Sequence, residues 1–590
     1  MTMKAITASN VLGADQYKAM VREVMEFAGK TVSRTIGPCA NTSIIEEMGP
    51  LVASKDGFHT MKRIQFAPSD TFARNIMDVI VKMSHRMVSL VGDGSSSAVV
   101  AAWKFSRELN NSNVKSIRPR ELNKIVNETI KEITTRIQEN ATVASAEELP
   151  EVMYHTALVS TNGDEKFAKM VREIYEVCKN NVRFNIVKGT RNEEETTYKV
   201  VDGYKSNYYY MIDPVFHNRG KGEFEAIDAH VICFDMAIDQ YHMPMIDKLY
   251  QLAVANDDPY NPREVIVIAP SYSQDFLDLV RGRVTRENQL INAKQIRHYT
   301  VRYAKCLTVN KFQRNEYMDF CMLVGSRPIA STDFNSMINI ITSENTLDEK
   351  ESEDRLRDAI GGVGHIRTHM SDYMIIDGFT HRDDALFEKT MMQVKAVYEE
   401  LYAENINAPY PSQAFIHQRN RYRKLLCKMV EIVVGGENEF ERSLQYDAID
   451  DATHACESVA NFGYNIGGNI AILIAVNDLI NKHSNDKLRV EVLKVIYATF
   501  VATVAEVFAN KYTGDGFDSL SVEKQEEIEK TIGECVNRGT YYDLIAGDFS
   551  DKIINSCRTD IEILNGALSL SLTLLTANQY VSNFPNVENN

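Results

Sequence analysis

The strongest constraint on this chain is a change of periodicity in its middle. Residues 15 to 38 read as an amphipathic helix: apolar Tyr17, Met20, Val24 and Phe27 recur at helical spacing until Gly37-Pro38 breaks the run. Two more helical patterns fill 70–110, split by the loop Gly92-Asp93-Gly94-Ser95-Ser96-Ser97. Another covers 119–139, with Pro119 in its first turn. From about 184 to 380 short β-rich runs appear instead: His230 to Asp235, Val265 to Ala269 and Tyr373 to Ile376. Helical stretches near 243–255, 275–284 and 313–324 alternate with them. The pattern is helical again over 417–480 and 485–577. An α/β segment inserted into an α-helical frame drawn from both chain ends is therefore expected.

A chain of 590 residues exceeds one ordinary domain, so two to four are expected. With 81 acidic against 65 basic residues the net charge is -16, which repels phosphate backbones and argues against a nucleic-acid partner. The nine cysteines (Cys39, Cys178, Cys233, Cys306, Cys321, Cys427, Cys456, Cys535, Cys557) are scattered and never in CxxC spacing. That argues against a disulfide framework or zinc cage and for a reducing compartment. The first twenty residues lack an apolar signal-peptide core, and no apolar run reads as long enough to cross a bilayer. A soluble cytoplasmic protein without a membrane partner is expected.

Three segments have the chemistry of a nucleotide site. Gly92 to Ser97 is a glycine-hydroxyl loop opening an apolar helix. It reads either as an ordinary helix start or as bare N–H groups and a positive dipole end for phosphate, with Asp93 able to hold Mg²⁺. Thr35-Ile36-Gly37-Pro38 offers a glycine for close phosphate approach. Ser54-Lys55-Asp56-Gly57 follows it, and its Asp-Gly favours a tight hairpin reversal. Asp450-Asp451, followed by Gly467-Gly468, reads as a solvated helix face or as an acid that orients an attacking water. There is no GxxxxGK[ST] loop, HExxH, GxSxG or kinase motif set.

In this order the segments resemble the group I chaperonins, the GroEL-like 60 kDa family. Thr35 to Pro38 is similar to that family's TLGP, Ser54 to Gly57 to TKDG, and Gly92 to Ser97 to GDGTTT. Arg118 to Leu122 stands where the family has NPxxL. Leu158 to Asn162 with Asp164-Glu165 resembles ISAN-x-DE, Ile375 to Gly378 resembles IIDG, and Ile449 to Ala455 resembles VEDALHA. Gly467-Gly468 falls on two of three consecutive glycines, and Asp543 and Asp548 keep the spacing of two late aspartates. The resemblance implies a multidomain α+β chaperonin fold with a mostly helical equatorial domain (1–140 and 462–590), an intermediate domain (141–201 and 429–461) and an α/β apical domain (202–428). Divergence of this degree suits a chaperonin encoded by a large bacteriophage, which would act in the host cytosol.

Carried over residue by residue, the resemblance implies an ATP hydrolase. Thr35, Ile36, Gly37 and Pro38 lie along the phosphates; Gly92, Gly94, Ser95, Ser96 and Ser97 cradle them; Asp93 ligates Mg²⁺. Backbone around Thr35, Lys55 and Ser96 holds K⁺. Asp451 positions the attacking water with Asp56 assisting, and Gly467, Gly468 and Asp548 lie on the ribose and base side. Implied partners are unfolded client proteins, further copies of the chain in a sevenfold ring, and a lid co-chaperonin. The client surface is assigned to Tyr210, Val215, Phe216, Tyr241, Met245, Leu249, Phe276, Leu277 and Val280. Phe276, Leu279 and Val280 at i, i+3, i+4 are equally the pattern of a core stripe.

The chain also departs from the family. Its Lys-Gly-Arg-Asn run is Cys39-Ala40-Asn41-Thr42 here, the third late glycine is Asn469, and the repetitive Gly-Gly-Met tail is missing. Extra residues fall between Tyr210 and Asp377 and within Asn407 to His417, and charged Lys248 and Arg281 lie near the expected client groove. Arg419, Arg421, Arg423, Lys424 and Lys428 read as a solvated basic helix face, and His365 and His369 as surface residues rather than a metal pair. The competing reading is a ring-forming scaffold or holdase with weak or no ATP turnover. A metabolic α/β enzyme is a third reading, without a cofactor motif to support it.

Overall fold

The structure is a computed structural model. It describes residues 11–581 apart from 47–50, 55–56, 68–69, 162, 180–181, 191–192, 207–208, 212–222, 259–261, 293–300, 307, 335–355, 370–372, 380, 406–411, 427 and 578. The chain forms two compact units, Met1–Lys199 with Val430–Asn590, and Val200–Met429.

The first unit is helical and joins the two ends of the chain. Strand Val11–Gly13 pairs antiparallel with Gln579–Val581. Helix Ala14–Ser33 buries Val21, Val24, Met25, Ala28 and Val32. The helices Ser95–Asn111, Lys487–Ala509 and Cys557–Thr576 add Val99, Val100, Ile496, Phe500, Val504, Leu564 and Leu568 to the same core. The helical period in the first segment was legible, but its face was set slightly wrong, since Phe27 is 51% exposed while Val21 is fully buried. Helix Lys487–Ala509 corrects a second expectation. Among the described residues it is long and apolar enough to cross a bilayer, yet 67% of its most apolar window is buried inside the unit. That burial is what a central core helix requires.

Strands Ser43–Glu46 and Leu51–Ser54 pair antiparallel. Gly57 begins the short helix Gly57–Lys62, and the Lys55-Asp56 part of the expected Asp-Gly reversal lies outside the described residues. Strand Phe184–Lys188 runs parallel to Val430–Val434.

The second unit is α/β. Its strands lie in the order Thr197–Ser206, Tyr373–Asp377, Ile360–His369, Glu223–Cys233, Val265–Ala269, Val301–Cys306, Tyr209–Met211. Glu223–Cys233, Val265–Ala269 and Val301–Cys306 are parallel, and the helices Met243–Ala253 and Gln274–Asn292 are their crossovers. The run Val265–Ala269 is buried at every residue, as a central parallel strand covered on both faces must be. Helix Lys311–Val324 packs Tyr317 and Phe320 into this core and ends at Gly325.

The basic helix Gln413–Leu425 is not a solvated face throughout. Arg421 Nε and Nη2 donate to the two oxygens of buried Asp319 at 2.7 and 2.8 Å, and Lys424 pairs with Glu316 at 2.5 Å. Two cations of the run are therefore neutralised by acids on the Lys311–Val324 helix. His365 is likewise bound within the sheet, to Glu225 at 2.7 Å and Asp377 at 3.3 Å. It is only partly exposed there.

Candidate functional site

A cavity of about 1160 Å³ opens in the first unit, and the glycine-hydroxyl loop forms one wall. The chain leaves Asp93 through Gly94, at φ 79°, ψ 6°, and enters the helix Ser95–Asn111. A side chain at Gly94 would meet a left-handed backbone penalty, and its Cβ would stand 2.8 Å from Thr559 Cγ2. With glycine as the N-cap no side chain caps this helix start. The first-turn amides of Ser95, Ser96 and Ser97, all lining the cavity, keep their positive potential for a ligand. Asp93 Oδ1 accepts a hydrogen bond from the Gly94 amide at 2.5 Å.

A second helix start reaches the same cavity. Helix Ile470–Lys482 is entered through Asn469 at φ 63°, ψ 9°, again without a side-chain cap. Asparagine is among the few residues that adopt the left-handed region readily, so replacing the third glycine preserves the turn. Gly468 and Asn469 line the cavity; Gly467 does not, its amide being spent on the Ile553 carbonyl at 2.8 Å.

Thr35, Ile36, Gly37 and Pro38 form the adjoining wall. Opposite them the helix Glu439–Phe462 brings Asp447, Asp450 and Asp451 to the cavity. Ser54 Oγ donates to Asp447 at 3.2 Å, and the Asp450 carbonyl lies 2.8 Å from His454 Nδ1. Helix Leu149–Ser160 contributes Glu151 and His155, 3.3 Å apart, and burial lowers the His155 pKa against the pull of that carboxylate.

The remaining wall comes from the strand pair Tyr541–Asp543 and Asp548–Ser550. Here one expectation is corrected. Asp543 lines the cavity, its Oδ1 accepting from the Ile545 and Ala546 amides at 2.8 and 3.0 Å and so fixing the turn. Asp548 is exposed outside it, and its carboxylate accepts from the Phe549 amide at 2.7 Å. Ile545, 65% exposed, adds an apolar surface of the kind a base packs against.

Beneath the loop lies a group that sequence reasoning missed. Asp560, in the first turn of helix Cys557–Thr576, is fully buried, with Oδ1 held by Asn555 Nδ2 at 2.9 Å. Its Oδ2 has no hydrogen-bond partner among the described residues. Burial pushes the carboxyl up to about 8, and the charge of Asp93 adds to the rise. Tyr541, Asn555 and Thr559 were also missed, since nothing in a lone Tyr, Asn or Thr marks it as a site residue.

Lys55, Asp56, Val215 and Phe216 lie outside the described residues, and so does the side chain of Tyr210, whose backbone is in strand Tyr209–Met211. Four proposed client-contact residues are core instead: Met245, Leu249 and Phe276 are fully buried and Val280 is 2% exposed. The helices Met243–Ala253 and Gln274–Asn292 turn these residues onto the sheet, because covering its faces is what their apolar stripes are for. Arg283 bridges the two helices to Asp247 at 2.7 and 2.9 Å, and Arg281 pairs with Asp278 at 3.0 Å. Tyr241 is 71% exposed and Leu277 partly so, leaving these two accessible.

The chain belongs to the TCP-1/cpn60 chaperonin family, whose model matches residues 29–585. Among curated relatives it is 23% identical over 560 residues to the mitochondrial 63 kDa chaperonin of Heliothis virescens, covering 93% of this chain and 87% of that protein. Among solved structures it is similar to the chaperonin gp146 from the bacteriophage EL 2 (Pseudomonas aeruginosa), crystallised in the presence of ATP-BeFx. One crystal form superposes with TM-score 0.69 at 17% identity over 97% of this chain and 99% of that one. A second form gives 0.68 at 16% identity. The fold is thus the multidomain α+β chaperonin fold.

Proposed function

We propose that this chaperonin is driven by ATP bound and hydrolysed in the cavity of the first unit. The observation that carries the reading is the convergence of two uncapped helix starts, at Gly94 and Asn469, with Asp93 and Asp451 around one space of about 1160 Å³. Uncapped helix N-termini favour phosphate, and a triphosphate needs several such donors together. The crystallisation of gp146 with ATP-BeFx supports the same assignment.

In this reading Ser95, Ser96 and Ser97 hold the terminal phosphates, with Thr35 to Pro38 against their flank. Asp451 orients the attacking water and Asp543 faces the ribose. Asp93 is the residue that would hold Mg²⁺, and its place beside the phosphate amides suits it; the ion would neutralise phosphate charge. Backbone at Thr35 and Ser96 would serve K⁺. Nucleotide-driven domain movement then alters the grip of the second unit on non-native clients, in a cytosolic ring of seven copies that accepts a lid partner. The face of its helix pair carries Lys248, Asp278 and Arg281, and the apolar side chains left for grip there are Tyr241, Leu277 and Leu279.

Steady-state ATP hydrolysis by wild type and Asp451→Ala, with light scattering on the same samples, tests the proposal. Turnover by a large ring, with Asp451→Ala binding ATP but stalled, is the expected result. A large ring that binds client without turnover moves the assignment to a holdase.

A further inference from the structure

The cavity wall Thr35–Pro38 is held from behind by one side chain. Helix Lys487–Ala509 ends at Asn510, a residue only 9% exposed. Asn510 Nδ2 donates to the Ser33 carbonyl at 2.8 Å and to the Ile36 carbonyl at 2.9 Å. The two acceptors flank Arg34-Thr35, so one amide group spans the bend that leads into Gly37 and Pro38. One turn earlier, Val507 lies directly under Gly37, where a Cβ would overlap its Cγ1. Elsewhere the bend is closed by local bonds, Asn41 N to Arg34 O at 2.9 Å, Ala40 N to Gly37 O at 3.1 Å and Thr35 Oγ1 to Val32 O at 2.9 Å. Both Asn510 protons are spent on the loop, whereas its buried Oδ1 has no hydrogen-bond partner among the described residues. An amide oxygen left unpaired at this depth is costly, so the orientation of Asn510 is dictated by the loop.

We infer that Asn510 is a positioning residue for the nucleotide: it sets the height of the Thr35–Pro38 loop over the cavity and thereby the affinity for ATP. The inference rests on the nucleotide reading of the cavity. Without the amide, two buried carbonyls lose their donor and the loop loses its reference to the helix. The bond network then favours a displaced bend, and phosphate contacts made by that loop weaken. Asp451 and the Gly92–Ser97 loop are untouched, so the effect falls on binding more than on turnover.

The test is calorimetric titration of the assembled protein with ATP and Mg²⁺, beside steady-state kinetics. Asn510→Ala is compared with Val504→Ala, a fully buried position on the same helix whose truncation lowers stability without touching the loop. Losing two neutral hydrogen bonds is expected to weaken ATP binding on the order of tenfold in Asn510→Ala, with kcat at saturating ATP within a few-fold of wild type. Val504→Ala is expected to melt earlier yet bind ATP like wild type. Should Asn510→Ala fail to assemble, Asn510→Ser, which keeps one donor and leaves a smaller cavity, is expected to show the same loss in weaker form. Wild-type affinity in the Asn510 variants, or an equal loss in Val504→Ala, overturns the inference while leaving the nucleotide site intact. A wild type that binds no ATP overturns the nucleotide reading itself.

Discussion

Lys104 and Glu506 provide a buried ion pair whose energetics can be worked through. Lys104 lies on helix Ser95–Asn111 and Glu506 on Lys487–Ala509; their side chains are 1% and 2% exposed and meet at 2.5 Å. Glu506 Oε2 also accepts from the Phe517 amide at 3.1 Å. Burial lowers the Lys104 pKa, and the Glu506 carboxylate opposes that fall. Replacing Lys104 by Met leaves a carboxylate isolated in the core, which costs about 3–5 kcal/mol. Adding Glu506→Gln removes the stranded charge yet keeps an oxygen for the Phe517 amide. The double variant is therefore expected to recover to within about 1–2 kcal/mol of wild type, since a neutral, filled site replaces the pair. Chemical and thermal unfolding of wild type, Lys104→Met and the double variant measures both steps. A single variant as mild as a surface change would mean that the pair is hydrated. A double variant no better than the single would mean that the loss comes from packing and not from charge.

Asp560 makes stability depend on pH. Its folded pKa, about 8, lies above the ordinary carboxylate value of 3.8, so its protonated form is favoured by folding. That contribution is complete below about pH 4 and is lost as pH rises through 8. The melting temperature of wild type should therefore fall from pH 6 to pH 9 relative to Asp560→Asn, which mimics the protonated acid; parallel curves would refute this. Gly94→Ala should cost about 1–2 kcal/mol of backbone strain and weaken ATP binding, read by melting and titration. Asn469→Gly should leave ATP affinity near wild type, whereas Asn469→Val, unable to hold the left-handed turn cheaply, should reduce it. Arg421→Met should destabilise the second unit by about 3–5 kcal/mol by stranding buried Asp319, measurable by unfolding.

The sequence was most legible where local chemistry and structure coincide. The loop Gly92 to Ser97 announces a helix start and Val265–Ala269 a strand, because each needs only its own residues; that the strand is parallel and covered on both faces comes from its neighbours. Periodicity found the helices Met243–Ala253 and Gln274–Asn292 but could not say what their apolar faces meet. Met245 and Phe276 consequently read as client surface although the sheet covers them. Asp543 and Asp548 are opposite one another in a hairpin, and only the turn at Ile545-Ala546 decides which of them faces the cavity. Asp560 and Asn510 carry no pattern at all. Their significance comes from partners at Asp93 and Ile36, far away along the chain and brought near only by the packed helices.

The central claim is that the cavity holds a triphosphate, and a structure of the assembled protein with Mg²⁺ and ATP-BeFx tests it most directly. The account predicts phosphate density within hydrogen-bond reach of the Ser95 to Ser97 amides, with Thr35 to Pro38 along its flank and Asp451 facing the terminal group. An empty cavity at saturating nucleotide, or nucleotide bound elsewhere on the chain, would contradict it.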